Sequence, residues 1–364
     1  MVRSLLVIGT GLVGTSVALA ARRAGVTVFL DDIDAHAARL AEALGAGLAE
    51  PPRHPVDLAL VAVPPAQVGP VLRDAQQQQA ARSYTDVAGV KGEPERDVLR
   101  LAPDPAAYVG GHPMAGRERS GPMAATADLF LGKTWVLCPS ERTGAEALAS
   151  ATALAEICGA VPLRLDSRAH DGLVALTSHV PHLMASLTAA RLYEGPAGTE
   201  PMAGQGVRDV TRIAAGDPGL WTDIVRSNAP AVAAVLRAVC GDLTRLLAAV
   251  EVLAGPDAEA RGEALRTVTD LLERGAAGTL RTRPAAARTP LRVVLDSTPG
   301  DLGRLLWAAA PYGVTADPAG TEFDDDGRLV VRLEVPDAAA TAVVAELAAA
   351  GWSADRCAHS ATAR

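Results

Sequence analysis

The chain has 364 residues, too many for one compact core and enough for two or three domains. Apolar residues make up 49% of the sequence, which excludes an intrinsically disordered protein. The formal net charge is -8 and the sequence contains no basic block, which argues against a nucleic-acid partner.

The start of the chain has no targeting pattern. Residues 1–4 lead directly into an apolar strand and a glycine turn, unlike a signal peptide. No uninterrupted apolar run reaches the roughly 18–20 residues that span a bilayer. The four cysteines have neither metal-ligand nor redox spacing, which is typical of a reducing compartment. We therefore expect a cytoplasmic protein with no membrane segment and no metal site.

The first unit of the chain has the pattern of a dinucleotide-binding fold. An apolar strand over residues 4–8 runs into Gly9-Thr10-Gly11-Leu12-Val13-Gly14, and a helix and a second strand over 26–30 follow. This order within about thirty residues is specific for dinucleotide binding. Gly9 would allow the tight turn, Gly11 the approach of a pyrophosphate and Gly14 the close packing of the helix. A glycine turn without a ligand is the competing interpretation.

Two acidic residues at the end of the second strand indicate which dinucleotide is bound. A carboxylate there can accept hydrogen bonds from both ribose hydroxyls and would repel a 2′-phosphate, so NAD is favoured over NADP. We favour Asp32 for this role, with Asp31 as the alternative, because strand ends are uncertain by one residue.

Strands and helices continue to alternate as far as residue 166. Further strands are predicted at 56–63, 84–88, 107–109, 134–138 and 160–165. The pattern predicts a doubly wound, mostly parallel sheet, a Rossmann domain over residues 1–166. The loops at Gly9, Gly89 and Gly111, and the one at Val63 and Pro64 where a nicotinamide-side loop usually lies, should open into one crevice.

The loop after the strand at 107–109 carries the most distinctive chemistry. Its glycines and proline exclude a regular helix, and its position at a strand end is where α/β folds place reactive groups. The loop reads Gly110-Gly111-His112-Pro113-Met114-Ala115-Gly116-Arg117-Glu118-Arg119-Ser120-Gly121. His112 is therefore a candidate catalytic residue, and a surface loop with an incidental histidine is the alternative.

The segment 167–274 has helical patterning and is predicted to be an all-α domain. Pro181 should kink a helix over 170–192, and His179 and His182 would share one face beside that kink. One satisfied core histidine and one surface histidine is the competing interpretation. A zinc site is disfavoured because no third ligand lies nearby at a metal spacing.

Further candidates follow in the same helical segment. Arg212 lies between apolar residues, so its guanidinium would bind a ligand carboxylate or form an ion pair with Asp209. Trp221 follows on the next predicted helix. The apolar helix over 229–253 has too many buried-type positions for a monomer, which indicates a dimerisation element.

The rest of the chain is predicted to be a separate small domain. Residues 275–290, rich in Ala, Gly, Arg and Pro, predict a linker. Residues 291–358 then show strand and helix signals in the order βαββαβ, which is typical of a ferredoxin-like α+β domain.

Four motifs in this order and spacing give the chain a family resemblance. They are the Gly9–Gly14 loop, Gly110-Gly111-His112-Pro113-Met114-Ala115-Gly116, Ser178-His179-Val180-Pro181-His182, and Arg208-Asp209-Val210-Thr211-Arg212-Ile213-Ala214. Over about residues 3 to 255 the chain resembles prephenate dehydrogenase, the tyrosine-biosynthesis enzyme, including its arogenate-using relatives. The tail, with Pro299-Gly300-Asp301-Leu302, looks like an ACT domain.

The resemblance implies the reaction and its groups. NAD would accept hydride from ring C4 of a cyclohexadienol, prephenate, while the ring carboxylate leaves as CO₂ and 4-hydroxyphenylpyruvate forms. By this resemblance His112 would accept the proton of the 4-hydroxyl, and Arg212 would bind the side-chain carboxylate. His179 and His182 would line the pocket. Glu118 would help to close the pocket or tune its protonation, and Trp221 would be an aromatic residue near the entrance. The resemblance also implies a homodimer and a tail that senses an aromatic amino acid, with a structural or dimer-forming tail as the alternative.

The chain departs from the family at Gly89, where a serine hydroxyl usually bonds the substrate 4-hydroxyl or the catalytic histidine. Either a water fills the space and the substrate is prephenate or arogenate, or the substrate carries another 4-substituent, as in 4-amino-4-deoxyprephenate. A β-hydroxyacid or imine dehydrogenase is disfavoured because the only lysines, Lys91 and Lys133, lie in the first domain. A non-catalytic sensor of NAD and an amino acid is the remaining alternative.

Overall fold

The structure, a computed structural model, divides into two compact units between Thr244 and Arg245. It describes residues 2–116, 121–196, 198–282, 288–295 and 298–356. The first unit contains both the predicted Rossmann domain and most of the predicted helical domain.

A seven-stranded sheet with flanking helices forms the larger part of the first unit. Its elements are β1 Ser4–Ile8, α1 Leu12–Arg23, β2 Thr27–Asp31, α2 Ala35–Ala43, β3 Val56–Val61, α3 Pro65–Gln77, β4 Ala81–Asp86, α4 Gly92–Leu101, β5 Tyr108–Pro113, β6 Thr134–Cys138, α5 Ala145–Ile157 and β7 Val161–Arg164, with short 3₁₀ turns at Pro105–Ala107 and Pro122–Ala124.

The strand order is β2-β1-β3-β4-β5-β6-β7, and every neighbouring pair is parallel except β5 with β6. Alternate residues of β1 and β3 enter two different cores, because successive side chains of a strand face opposite sides of a sheet. Leu5 and Leu58 pack with α1 and α5 on one face, whereas Leu6 and Ala59 pack with α3 and α4 on the other. The prediction of a doubly wound, mostly parallel sheet is confirmed.

Strand β5 is longer than its sequence predicts, and the histidine motif lies partly within it. Gly110 to Pro113 pair with β6 in antiparallel register, with His112 opposite Val136. A Cβ on Gly111 would lie 2.5 Å from the main-chain oxygen of Asp86 and 3.1 Å from Trp135 Nε1. The glycines that suggested a loop therefore serve close packing within a sheet, and the assignment of residues 110–113 to a loop was wrong.

The helical part of the first unit begins directly after β7. It comprises α6 Ser167–Val174, a π-helical turn Ala175–His179, α7 Val180–Tyr193, a 3₁₀ turn Glu200–Met202, α8 Gln205–Arg212, a 3₁₀ turn Ile213–Ala215, α9 Pro218–Ser227 and α10 Ala229–Ala254, which extends into the second unit. A π-helical turn interrupts this helical run and ends two residues before Pro181, whereas the sequence predicted a kink at the proline itself.

By length and composition the helical run Ser167–Tyr193 could cross a membrane, with a mean hydropathy of 1.2 over its most apolar window. The expectation that no apolar run is long enough to span a bilayer therefore holds only for uninterrupted apolar stretches. Four buried polar side chains lie along this run: His170, Asp171, His179 and His182. Asp171 and His179 bond to groups outside it, on Lys91, Gly92 and Asn228, as expected for a core helix of a folded unit.

The second unit contains the rest of α10, α11 Ala258–Thr282, and a four-stranded antiparallel sheet with two helices. Its further elements are β8 Arg288–Leu295, α12 Asp301–Ala309, a 3₁₀ turn Ala310–Tyr312, β9 Thr315–Phe323, β10 Leu329–Pro336, α13 Asp337–Ala349 and β11 Ala354–Arg356. The sheet order is β11-β8-β10-β9, and the predicted element order βαββαβ is confirmed.

The predicted linker over 275–290 was wrong in its bounds. Residues 275–282 are the last two turns of α11, and residues 288–290 already belong to β8. Each glycine in a helix costs only about 1 kcal/mol relative to alanine, so Gly275 and Gly278 do not stop a helix rich in Ala. The predicted end of the small domain at residue 358 lies outside the described residues.

Candidate active site

The glycine loop after β1 has the geometry that a dinucleotide requires. Gly9 adopts a φ of +103°, and a Cβ there would lie 2.3 Å from the carbonyl oxygen of Ala62. A Cβ on Gly14 would lie 2.0 Å from the oxygen of Gly9, so both positions exclude any side chain. Gly11 instead faces open space and is the N-cap residue of α1, whose N-terminus has no side-chain cap. The uncapped amides of this turn are therefore available to an anion.

The predicted ribose-binding carboxylates lie beside this loop. Asp32 Oδ2 accepts hydrogen bonds from Thr10 N at 2.6 Å and from Thr10 Oγ1 at 2.8 Å. The carboxylate of Asp32 thus holds the glycine loop, whereas the side chain of Asp31 is exposed at the end of β2. The half-buried Val63 contributes Cγ1 3.4 Å from where a Cβ on Gly9 would lie, and Pro64 caps α3 next to it. The remaining cofactor candidates, Leu12 and Val13, form the first turn of α1.

His112 lies at the same edge of the sheet, because β1, β3, β4 and β5 run parallel. Its Nδ1 lies 2.8 Å from His170 Nε2, on the first helix after the sheet. The Nδ1 of His170 lies 2.9 Å from Asp171 Oδ1. Asp171 also accepts from the main-chain amides of Lys91 and Gly92, each at 2.8 Å. An ordered chain from a carboxylate through two imidazoles therefore ends at His112.

The direction of each hydrogen bond in this chain follows from its fixed end. An ionised carboxylate can only accept, so His170 carries its proton on Nδ1 and accepts at Nε2. His112 must then donate from Nδ1, which leaves the lone pair on Nε2 unused. Burial raises the pKa of Asp171, but the bonds from His170, Lys91 and Gly92 outweigh it and hold that pKa below its ordinary value.

The environment also keeps His112 uncharged. Burial is the main cause that holds the pKa of His112 well below its ordinary value, followed by the neighbouring His170, Lys91 and His179. An uncharged imidazole with a free lone pair at Nε2 is a general base. A Cβ on Gly89 would lie 3.9 Å from this Nε2 and 4.0 Å from Cε1, and among the described residues, apart from the two neighbours of Gly89 in the chain, no other atom lies within 4 Å. The base therefore faces an open position next to Gly89.

A buried ion pair supports the strand that carries His112. Lys91 and Asp86 are 1% and 0% exposed and bond through Lys91 Nζ and Asp86 Oδ1. Lys91 Nζ also donates to the carbonyl oxygen of Gly111 at 2.6 Å, and Tyr108 Oη donates to Asp86 Oδ2 at 2.6 Å. These bonds fix the backbone immediately before His112. Burial followed by the charge of Asp86 raises the pKa of Tyr108 well above its ordinary value, which keeps it a donor.

The second histidine pair, His179 and His182, lies against Trp221. The rings of His182 and Trp221 stack at 3.6 Å with an angle of 13°, and His179 meets Trp221 edge-on at 6.2 Å. His182 Nδ1 is buried and has no hydrogen-bond partner among the described residues. An unpaired buried nitrogen costs free energy, which a polar ligand atom would recover.

The sequence also predicted site roles for Arg212 and Glu118. Arg212 is exposed at the last turn of α8, and it is α8 as a helix that contacts α7, which carries His182. Glu118 lies outside the described residues. In the part of the chain that the structure describes, no group of three His, Cys, Asp or Glu side chains is arranged to hold a metal ion.

Four polar residues of the site were given no role from the sequence. They are Lys91, His170, Asp171 and Asn228. Each is buried against a residue far along the chain, such as His170 against His112, 58 positions away. The only local signal was the adjacent His-Asp pair at the start of a helix.

Two family models match this chain. The nucleotide-binding domain of prephenate dehydrogenase matches residues 17–163, and the dimerization domain of prephenate dehydrogenase matches residues 166–267. The chain is 40% identical over 322 residues to the probable prephenate dehydrogenase NovF of Streptomyces niveus, covering 86% of this chain and 88% of that protein. It is 33% identical over 264 residues to the cyclohexadienyl dehydrogenase of Zymomonas mobilis, covering 68% and 88%.

The fold is also similar to that of a solved enzyme. The structure of prephenate dehydrogenase from Aquifex aeolicus in complex with hydroxyphenyl propionate and NAD⁺ superposes with a TM-score of 0.65 and 25% identity. The match covers 76% of this chain and 98% of that one.

Proposed function

The chain belongs to the prephenate dehydrogenase family and is an NAD-dependent dehydrogenase, and we propose that it catalyses the oxidative decarboxylation of prephenate to 4-hydroxyphenylpyruvate. The observation that carries this proposal is the hydrogen-bonded chain Asp171–His170–His112, which ends in an unprotonated Nε2 at an open position. A base so placed suits the removal of a proton from a hydroxyl on the carbon that loses hydride.

Bound NAD would supply the acceptor for the hydride that leaves ring C4. The glycine loop fits this group: Gly9 and Gly14 admit no side chain, and Gly11 and the uncapped start of α1 are open to the pyrophosphate. We assign ribose recognition to Asp32, which the loop already holds through Thr10, with Asp31 as the alternative.

His112 removes the proton of the 4-hydroxyl as C4 loses hydride. Nε2 accepts the proton, and the imidazolium that forms donates from Nδ1 to His170, whose own Nδ1–H is held by Asp171. The C1–carboxylate bond breaks, CO₂ leaves, and its electron pair completes the aromatic ring. The proton then returns from Nε2 to the phenolate oxygen. The hydrogen-bonded series Asp171–His170–His112 thus stabilises the positive charge that His112 carries during the reaction.

The substrate's carboxylates need cationic or donating groups, which the helical part supplies. We propose that His179, His182 and Trp221 line the pocket, with the unpaired Nδ1 of His182 as one polar contact. We assign the side-chain carboxylate to Arg212 and the control of the pocket's closure to Glu118, on the family resemblance of their motifs.

The open position beside Gly89 supports a second substrate class, with a 4-amino group in place of the 4-hydroxyl. An amine also needs a neutral base, and Gly89 leaves space beside that base for a different 4-substituent. Arogenate, which differs from prephenate only in its side chain, is the other alternative.

We propose that the chain forms a homodimer through its helical part. The matched dimerization domain includes all of α10 and part of α11, where Leu243, Leu247, Val250 and Leu265 are each at least half exposed. Apolar side chains in such numbers on two helices are typical of a subunit interface.

For the small sheet of the second unit we propose an ACT-like module that senses an aromatic amino acid. Its βαββαβ order supports this, as does the turn at Gly300, with a φ of +93°, which leads into α12 beside the buried Asp301. A thermal shift on adding tyrosine, lost in Asp301→Ala, is the expected result. An equal shift in both proteins would exclude this turn as the binding position.

The deciding experiment for the reaction compares turnover of prephenate, arogenate and 4-amino-4-deoxyprephenate, followed by NADH formation. We expect prephenate to have the highest kcat/KM and equimolar CO₂ to be released. Preference for the amino compound would favour the second substrate class. No NADH from any of the three would overturn the proposed reaction.

A further inference from the structure

Asn228 occupies a buried position between two helices, where its side chain contacts one imidazole and one main-chain carbonyl. It lies at the junction of α9 and α10 and is 3% exposed. Its Nδ2 lies 2.8 Å from the main-chain oxygen of Asp171 and 3.2 Å from His179 Nδ1. The side chain therefore connects the residue that orients His170 to a second histidine of the pocket.

The proton position on His179 follows from these two contacts. A main-chain carbonyl oxygen can only accept, so the amide nitrogen of Asn228, and not its oxygen, must face Asp171. The second hydrogen of that amide then points to His179 Nδ1, which has to accept. A neutral imidazole that accepts at Nδ1 carries its hydrogen on Nε2.

The surroundings keep His179 uncharged. Its charged and titratable neighbours are His170 and Asp171 on α6, His112 on β5, and His182 on its own helix beyond Trp221. Burial lowers the pKa of His179 to about 4, and the opposing effect of Asp171 does not restore it. Among the described residues, Asn228 is the only hydrogen-bond partner of the His179 ring, so the Nε2–H remains for a ligand.

We propose that Asn228 is a positioning residue that holds His179 as an Nε2–H donor, so that the pocket offers the substrate one accepting and one donating imidazole. His112 accepts a proton at Nε2, and His179 donates a hydrogen bond to an anionic oxygen of the substrate, which fixes the ring for hydride loss. The inference rests on the proposed function for the identity of that ligand, but the protonation of His179 does not depend on it.

The first test is made on the unmodified protein. In ¹⁵N-labelled full-length chain, long-range proton–nitrogen correlations of His179, assigned by their loss in His179→Gln, report which ring nitrogen carries hydrogen. We expect the Nε2–H form near neutral pH. An Nδ1–H form or an imidazolium would overturn the proposal whatever the enzyme turns over. A correct Nε2–H form without turnover of any cyclohexadienol would overturn the proposed reaction alone.

The second test exchanges the donor for an acceptor. Asn228→Asp has nearly the same shape but would accept from His179 Nδ1, which moves the hydrogen from Nε2 or charges the ring. We expect KM for prephenate to rise about tenfold or more, with a smaller change in kcat and an unchanged affinity for NADH. The NADH affinity shows that the variant is folded. A KM within twofold of the original between about pH 6 and pH 8 would contradict a positioning role.

Discussion

His112 Nδ1 and His170 Nε2 lie 2.8 Å apart, and this contact joins the last residues of a sheet strand to the first turn of the helical part. Because the donor must be His112, the contact leaves Nε2 as the reactive atom. The base is thus assembled from two parts of the chain 58 positions apart, and its activity depends on their packing.

The variant His112→Asn should distinguish the roles of the two ring nitrogens of His112. The asparagine amide can occupy the place of Nδ1 and still donate to His170, but it has no group at the position of Nε2. We expect kcat with prephenate to fall about 10²- to 10⁴-fold, the usual contribution of a general base, with the NAD dissociation constant nearly unchanged. Steady-state kinetics and NAD titration measure both. Equal turnover in the variant would remove His112 from the reaction.

The low pKa of His112 predicts how activity depends on pH. Since burial holds that pKa well below 6.5, the unprotonated base persists through the range in which an ordinary histidine would be protonated. We expect kcat/KM to remain level as pH falls through about 6.5 and to decline only at lower pH. A decline in kcat/KM centred near or above pH 6.5 would show that the imidazole of His112 is solvated.

The free energy of unfolding should decrease as pH falls from about 6.5 to about 4. An unfolded chain protonates its histidines near their ordinary value of 6.5, whereas folded His179 takes up a proton only near 4. Between these values the unfolded state binds more protons, so the free energy of unfolding decreases as pH falls, by up to about 1.4 kcal/mol per pH unit for each such histidine. Urea unfolding at several pH values tests this, with His179→Gln expected to give a shallower slope. An identical slope would exclude His179 as a contributor.

Gly89→Ser should alter substrate preference without disturbing the fold. A Cβ at this position would lie 3.9 Å from His112 Nε2 and 4.0 Å from Cε1, which is ordinary contact. The added hydroxyl would bond the 4-hydroxyl or Nε2, so we expect kcat/KM for prephenate relative to the 4-amino compound to rise about tenfold. Gly89→Ala is the matched control, since it adds the Cβ without the hydroxyl. The same change in both variants would point to volume and not to hydrogen bonding.

The two lysines of the chain allow the stability contribution of a buried lysine to be compared with that of an exposed one. Lys91→Met leaves the carboxylate of Asp86 buried without its cation, and we expect a loss of about 3–5 kcal/mol in the free energy of unfolding. Lys133 is exposed, so Lys133→Met should change stability by less than about 0.5 kcal/mol. Denaturant unfolding of both variants measures the difference. Similar losses would mean that the Lys91 pair contributes no more than a surface charge.

The sequence predicted what short-range patterns determine. Gly9, Gly14 and the acid after β2 follow from strict spacing around one turn, and each has the geometry that its residue type requires. The stretch Gly110–Pro113 was misassigned because glycine signals a loop unless an antiparallel partner is known, and β6 lies about twenty residues later.

The network behind His112 was not predictable from the sequence for a related reason. His170 and Asp171 look like the polar face of an amphipathic helix until the sheet edge is placed against them. Asn228 is a helix junction residue whose two acceptors lie 57 and 49 positions away. Only the tertiary fold brings these donors and acceptors into contact.

The π-helical turn Ala175–His179 sets the rotational phase of the helix that follows it. Each residue of an α-helix turns the chain by about 100°, so one residue more or fewer within this turn would rotate everything after it by that angle. His182 would then leave the face of Trp221, although no side chain of the pocket had been changed. The length of this segment is therefore as much a determinant of the site as the identity of its histidines.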